Sequence, residues 1–244
     1  MERRDYVNDS LELIQDTEGL TFGTDALLLA GYISGKYKRG CELGSGSGII
    51  SMLLLSRNKI DNVTALEVQK EYASLTKRNA ELNRLSERLE AVCTDVRDYR
   101  ASSDFDIVYT NPPYMKVSSG KENLESKKNI ARHEVMGDIS DFCLATKRIL
   151  RFGGSFAVVY RPDRLTDLIC AMREAKLEPK RITFVHADTN SEPSMVLIEA
   201  RAGGKSGSRV TKPLIIYADA EHKTYTADMD YIMENGDFPE EFKK

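Results

Sequence analysis

Asn111-Pro112-Pro113-Tyr114 directly follows an apolar run, Phe105–Tyr109 and then Thr110, whose composition predicts a strand. Two consecutive prolines fix the backbone and remove two N–H donors, leaving carbonyl oxygens as acceptors. The side-chain oxygen of Asn111 and the carbonyl of Pro112 can together accept both hydrogens of a planar amino group. That turns the nitrogen lone pair toward an electrophile. Tyr114 can stack on a flat substrate, a contact worth about 1–3 kcal/mol per base. A reaction at that nitrogen depends on positioning and oriented dipoles and needs no general base at its outset. The same four residues can also serve as nothing more than a rigid turn.

A second chemical feature lies upstream. Glu42-Leu-Gly-Ser-Gly-Ser-Gly48 sits between an expected strand, Gly40–Leu43, and an expected apolar helix, Ile49–Ser56. Glycines at Gly44, Gly46 and Gly48, with Ser45 between them, let a ligand approach the backbone and the first N–H groups of the helix. The spacing is G-x-G-x-G rather than G-x-G-x-x-G, and a tight strand-to-helix turn is the plainer reading. Glu67 ends the next expected strand, 19 residues beyond Gly48, where a carboxylate can accept both ribose hydroxyls of a nucleoside cofactor. Asp95 follows the third strand, placed to accept from an adenine amino group. Acids also cap strand ends without any ligand.

The elements that must hold these residues alternate. Strands are expected at Asn62–Glu67, Leu89–Cys93, Phe105–Tyr109 and Ser155–Tyr160, and helices at Gln69–Asn83 and Asp138–Leu150, the latter stopped by a glycine cap at Gly153-Gly154. Pro162 opens a further helix through Leu165, Leu168, Ile169 and Met172. Arg181–His186 and Ser194–Ala200 are joined by a polar loop, which predicts an antiparallel hairpin at the end of the sheet. The expectation is an α/β fold, a doubly wound, mostly parallel seven-stranded sheet with a ligand beyond the carboxyl ends of its strands. Residues 1–38 read as a hairpin (Leu11–Gln15 with Leu20–Phe22) and a helix from Asp25 to Ile33, packed on a core of 39–202. Residues 203–244 read as a basic link, a strand at Leu214–Tyr217 and an acidic tail.

Composition excludes several classes. The 244 residues carry 35 basic and 38 acidic side chains, which argues against a uniformly basic nucleic-acid binder. Met115–His133 nevertheless has five basic and two acidic residues, and Arg201–Pro213 four basic and none acidic, whereas Tyr217–Lys244 has eight acids against three lysines. The expectation is that the first two segments flank the pocket and grip phosphates. Four scattered cysteines without a C-x-x-C pair and three scattered histidines give no metal framework, and no metal is expected. The longest apolar runs have eight residues, so no membrane span is expected. The first residues show no leader, and the location is read as cytoplasmic.

The acid before the glycines, Glu67, Asp95 and N-P-P-Y together resemble the class I S-adenosylmethionine-dependent methyltransferases. More narrowly, they resemble the enzymes that methylate an amino group on adenine N6, cytosine N4, guanine N2 or a glutamine amide. Phe22-Gly-Thr-Asp-Ala26, Ala131-Arg-His-Glu134 and Arg161-Pro-Asp-Arg164 extend the resemblance to the bacterial tRNA1(Val) adenine-37 N6-methyltransferase family, its Gram-positive-type branch. The resemblance implies a Rossmann-like fold, S-adenosyl-L-methionine as cofactor and tRNA as partner. It implies cofactor contacts from Thr24, Asp25, Glu42, Gly44, Ser45, Gly46, Gly48, Glu67, Asp95 and Asn111, and catalysis by Asn111, Pro112, Pro113 and Tyr114. Thr24 and Asp25 would lie near the methionine end, though a plain helix cap explains them equally. A release-factor glutamine amide, ribosomal RNA guanine N2, duplex DNA adenine and a non-catalytic RNA-binding module are the competing readings. The short N-terminal segment disfavours the first, the lack of room for a target-recognition domain disfavours the DNA enzyme, and the intact motifs disfavour the last.

Overall fold

Parallel strands covered on both faces need near-continuous apolar runs, and the middle of this chain supplies them. In the computed structural model, which describes residues 2–8, 11–16, 23–101, 104–112 and 137–243, the first two strands stand apart. These are β1 (Glu2–Asn8) and β2 (Leu11–Asp16), an antiparallel hairpin. The main sheet holds β3 (Tyr37–Leu43), β4 (Ile60–Glu67), β5 (Leu89–Cys93), β6 (Phe105–Thr110), β7 (Leu150–Tyr160), β8 (Leu177–His186) and β9 (Pro193–Ala202). Two short strands, β10 (Arg209–Val210) and β11 (Leu214–Ile215), add to the outer side of β8, and the order is β10-β8-β9-β7-β6-β3-β4-β5. Only β9 runs against its neighbours, which forms the expected terminal hairpin with β8.

The helices are α1 (Thr24–Tyr32), α2 (Ile49–Ser56), α3 (Lys70–Leu82), α4 (Ile139–Ile149), α5 (Leu165–Glu174), α6 (Ala227–Asn235) and α7 (Glu240–Lys243). Alternation along β6 splits the core. Ile107 and Tyr109 join the apolar layer of α1 and α2, while Val108 joins that of α4 and α5. Asp138 caps α4 and Asp141 returns the bond, closing a capping box.

The glycine stop at Gly153-Gly154 does not form, because α4 ends at Ile149 and both glycines lie inside β7. The register across β6 and β7 jumps from Phe105↔Leu150 to Ile107↔Ser155, and Gly153 at φ +72° accommodates that bulge. The N-terminal hairpin forms with β1 as the partner of β2, while Leu20–Phe22 lies outside the described residues. Asn79 and Asn83, one turn apart on α3, dictate where β2 goes. Asn79 accepts from Ile14 N (2.8 Å) and donates to Ile14 O (3.0 Å); Asn83 does the same for Glu12, at 3.0 and 2.7 Å. The acidic tail is anchored on the core. Met229, Ile232, Phe238 and Phe242 are buried in the α1–α2 layer, and Phe238 meets Tyr32 edge-on at 5.3 Å between centroids.

Glu42, at the end of β3, is 1% exposed. Its carboxyl accepts from Ser51 N (3.2 Å) and from Ser51 Oγ on α2, and Ser51 Oγ in turn meets Tyr109 OH on β6 at 2.8 Å. Burial pushes the Glu42 carboxyl up to about 8, against an ordinary value of 4.5, with the Ser51 bonds opposing the shift. The folded chain therefore holds a proton that the unfolded chain releases. The stabilisation from that proton is complete below about pH 4.5 and is lost as pH rises to about 8. Glu42→Gln, which keeps the shape without the titration, should flatten this part of the pH dependence. Urea midpoints at several pH values between 5 and 8.5 check it: the wild type should lose more over that range than the variant. Parallel curves would show that Glu42 is not the group responsible.

Candidate active site

Every residue singled out in the glycine loop lies at the carboxyl edge of the parallel strands. Gly44 N and Ser45 N both donate to Leu66 O, at 2.9 and 3.0 Å, so the loop crosses the end of β4. Glu67 fixes it there, since its two oxygens accept from Gly46 N (3.0 Å) and Gln69 N (2.9 Å). Thr76 on α3 donates to Gly46 O at 2.8 Å. Gly44, Gly46 and Gly48 have φ of +71°, +54° and +81°, the left-handed region that other residues enter at a cost. The last two differ in surroundings. A Cβ on Gly48 would stand 2.7 Å from Thr76 Cγ2, whereas a Cβ on Gly46 would have no atom within 4 Å. Gly48 is needed for packing, and Gly46 faces open space above the loop.

The three acids have different partners within the fold. Glu42 is buried and bonded to Ser51 at the start of α2. Glu67, at 3% exposure, holds the loop, and each of its oxygens keeps one lone pair for a further donor. Asp95 follows β5 and is partly exposed, but it already holds Arg97. Arg97 N, Nε and Nη2 reach its carboxylate at 2.8, 3.0 and 2.5 Å, and the Arg97 hydrogen bonds hold Asp95 below the usual carboxylate range.

Asn111 emerges immediately after β6, where Thr110 Oγ1 ties the strand to Leu43 O at 2.7 Å. Its Nδ2 donates to Asp25 Oδ2 at 2.8 Å, and the other Asp25 oxygen accepts from Ala26 N at 2.9 Å. Asn111 Oδ1 is buried and has no partner. An acceptor kept from water and left unpaired loses the hydrogen bonds it would make in solvent, so it is a place where a ligand donor is favoured. Pro112 is buried beside it; Pro113, Tyr114 and the loop Met115–His133 lie outside the described residues. Asp25 is in the first turn of α1, whose N-cap is Gly23, so neither Thr24 nor Asp25 is the cap itself. Both line a cleft of about 340 Å³ with Tyr160 and Arg161 from the end of β7 and Ser194 and Met195 from the start of β9.

That cleft was not foreseen from the motifs. Its walls are strand termini, and the antiparallel hairpin was the available signal, because it brings the start of β9 to the edge where β7 ends. The basic link starts beside the beginning of β8, where Gly203 N donates to Lys176 O at 2.8 Å, and then runs along that strand, with Arg209 opposite Arg181 and Val210 opposite Ile182. Arg209 reaches Glu241 O at 3.2 Å, and Lys212 pairs with Asp228 and Glu241 at 2.8 and 3.0 Å. These cations hold the C-terminal helices.

Comparison with known proteins agrees with the geometry. The chain is 26% identical over 187 residues, 75% of its length and 77% of the relative's, to a protein of Phocaeicola vulgatus named tRNA1(Val) (adenine(37)-N6)-methyltransferase. It is 27% identical to a protein of the same name from Porphyromonas gingivalis, over 80% of each chain. Among solved structures, a predicted O-methyltransferase from Agrobacterium tumefaciens superposes with TM-score 0.71 at 24% identity, covering 88% of this chain and 98% of that one. A methyltransferase from Pyrococcus furiosus superposes with TM-score 0.59 at 16% identity, covering 80% and 91%. These likenesses show the Rossmann-like α/β fold of class I methyltransferases. The family described as Methyltransferase small domain matches residues 17–163, a span that contains the glycine loop, all three acids and Asn111, and the chain belongs to that family.

Proposed function

We propose that this protein is an S-adenosyl-L-methionine-dependent methyltransferase that acts on the N6 amino group of adenine in tRNA, at position 37 beside the anticodon. The observation that carries the reading is Asn111, which presents a buried, unpartnered amide oxygen at the carboxyl edge of β6, across Leu43 and Thr110 from the glycine loop. An oxygen of that kind suits a substrate that donates hydrogens, which an amino group does and a carbonyl or thioether does not. The adenine assignment is supported by the names of the curated relatives.

The chain's own residues fit the cofactor at the glycine loop. Gly46 leaves open space where a side chain would stand, and Glu67 retains acceptor capacity at the end of β4. When bound, S-adenosylmethionine supplies a sulfonium methyl to the amine's lone pair; the C–S electron pair stays on sulfur and the nitrogen releases a proton to water. Asn111 and the Pro112 carbonyl accept the amino hydrogens, which holds the base and directs its lone pair out of the ring plane. Removing one preorganised hydrogen-bonding group of this kind commonly lowers turnover by about 100-fold or more. An adenine in an anticodon loop is already unpaired, so bringing it into the site costs less than extrusion from a duplex. Among the described residues no helix is long and apolar enough to cross a membrane. A cytoplasmic location is part of the proposal and is supported by the tRNA substrate that the relatives' names give.

Total tRNA from a strain lacking the gene, treated with protein and cofactor and digested to nucleosides, should gain N6-methyladenosine by mass spectrometry. A gain of N2-methylguanosine, or methylation of a release factor in place of RNA, would replace the substrate named here. Asn111→Ala should lower kcat by about 100-fold while S-adenosylhomocysteine affinity, read by calorimetry, stays nearly unchanged. The glycines separate by a different measurement. Gly46→Ala should weaken S-adenosylhomocysteine binding more than it lowers Tm, and Gly48→Ala should lower Tm more, because its methyl collides with Thr76. The reverse pattern would remove Gly46 from the binding surface.

A further inference from the structure

We infer that Asp25 is a positioning residue that sets which end of the Asn111 amide faces the substrate; the step it serves rests on the amino-group methylation proposed above. The two polar atoms of an amide differ only in chemistry, and a free Asn111 could present either one. An oxygen accepts from a substrate amine, while an NH2 group repels it. Asp25 Oδ2, 2.8 Å from Asn111, is an acceptor with no proton to offer when ionised, so the nitrogen must turn toward it and the oxygen away. The oxygen thus turned away is the one left buried without a partner. Asp25 is itself held in place, because its other oxygen accepts from Ala26 N in the first turn of α1 at 2.9 Å, where exposed N–H groups favour a carboxylate. The two residues are 86 positions apart in the chain.

The Tyr217–His222–Tyr225 stack carries Asp188 on His222 Nε2, with Asp219 accepting from Lys223 N and Thr224 N beside it, which disfavours a nucleic-acid platform. Lys59 is enclosed by the carbonyls of Ala30, Gly31 and Ile33 and by Asp237, which accounts for it as a structural tie. The cleft beside Asp25 adjoins the site already described, and Asp25 forms the wall it shares with Asn111.

Exchanging the two side chains tests the inference. Asn111→Asp alone sets two carboxylates against each other and should lower kcat by about 100-fold at pH 8, with partial recovery as pH falls and one of them takes a proton. Asp25→Asn in the same chain restores a donor facing an acceptor, now with a carboxylate oxygen toward the substrate. The exchanged pair should regain at least about 10-fold over Asn111→Asp. Asp25→Leu should lower kcat with S-adenosylhomocysteine affinity within about 3-fold of wild type. In the 1H–15N spectrum of the free protein, the Asn111 side-chain NH2 resonance, assigned by its loss in Asn111→Ala, should move in Asp25→Leu and stay near its place in Asp25→Asn. An exchanged pair no better than Asn111→Asp, an unmoved resonance, or a loss of cofactor affinity equal to the loss of kcat would each overturn the role. The spectrum needs no RNA. A moved resonance together with no methylated adenosine would therefore overturn the substrate assignment while leaving the Asp25 contact standing.

Discussion

A carboxyl group shut away from water must find its partners inside the fold, and the partners of Glu42 decide where the catalytic edge is. Glu42 joins β3 to α2 through Ser51, and Ser51 joins both to Tyr109 on β6. At the next residue, Thr110 closes on Leu43. Two adjacent parallel strands are thereby locked at the carboxyl end, where the glycine loop and Asn111 leave them. Apolar burial around this knot supplies most of the stabilisation, but it is indifferent to register. The buried polar links are what exclude a slipped arrangement, because a slip leaves each of them unpaired.

The same logic extends outward along the edge. Glu67 and Asp25 are each bound to a backbone N–H that leads into a helix, Gln69 before α3 and Ala26 in α1. Each also reaches across to a functional segment, Glu67 to Gly46 and Asp25 to Asn111. A carboxylate anchored on one side and bonded on the other is a rigid strut. Struts of this kind keep acceptors and open space in place before a ligand arrives, so little reorganisation is needed when charge moves.

What the sequence made legible follows from how local each determinant is. Ile49–Ser56 and Leu89–Cys93 have the expected limits, because glycine on one side or turn residues on both end an apolar run sharply. The α/β order and the antiparallel terminal hairpin were readable for the same reason. β1 was not, since Glu2-Arg-Arg-Asp-Tyr-Val-Asn has no apolar run and owes its place to β2, which Asn79 and Asn83 hold from 65 and 71 residues away. The bulge at Gly153 mimics a helix stop, and only the register with β6 tells them apart. In the tail, eight acids hide the spacing of Met229, Ile232, Phe238 and Phe242. Of the candidate site, the glycines and Asn111 stood out by type. The pairing of Asp25 with Asn111 is a contact across 86 residues, and no local pattern encodes it.

Charge shows why location matters more than total. The tail's acids are internal counterions: Asp228 and Glu241 hold Lys212, and Asp237 holds both Lys59 and Lys243. Lys212 also lies 4.8 Å from the Phe242 ring, so the pair carries packing as well as charge. The four basic residues of 201–213 thus count toward a basic segment in sequence, yet in space Arg209 and Lys212 hold the C-terminal helices and Arg201 bonds Gly153 O and Glu199. A polyanion that reaches the amide oxygen must approach from the carboxyl edge. There Arg161 and Arg97 sit near the strand ends, each bonded to its own aspartate, Asp163 and Asp95. Ion pairs this exposed contribute little to stability, so the exchange of an aspartate for a phosphate at either arginine is set by the local field of the incoming chain rather than by the protein's net charge.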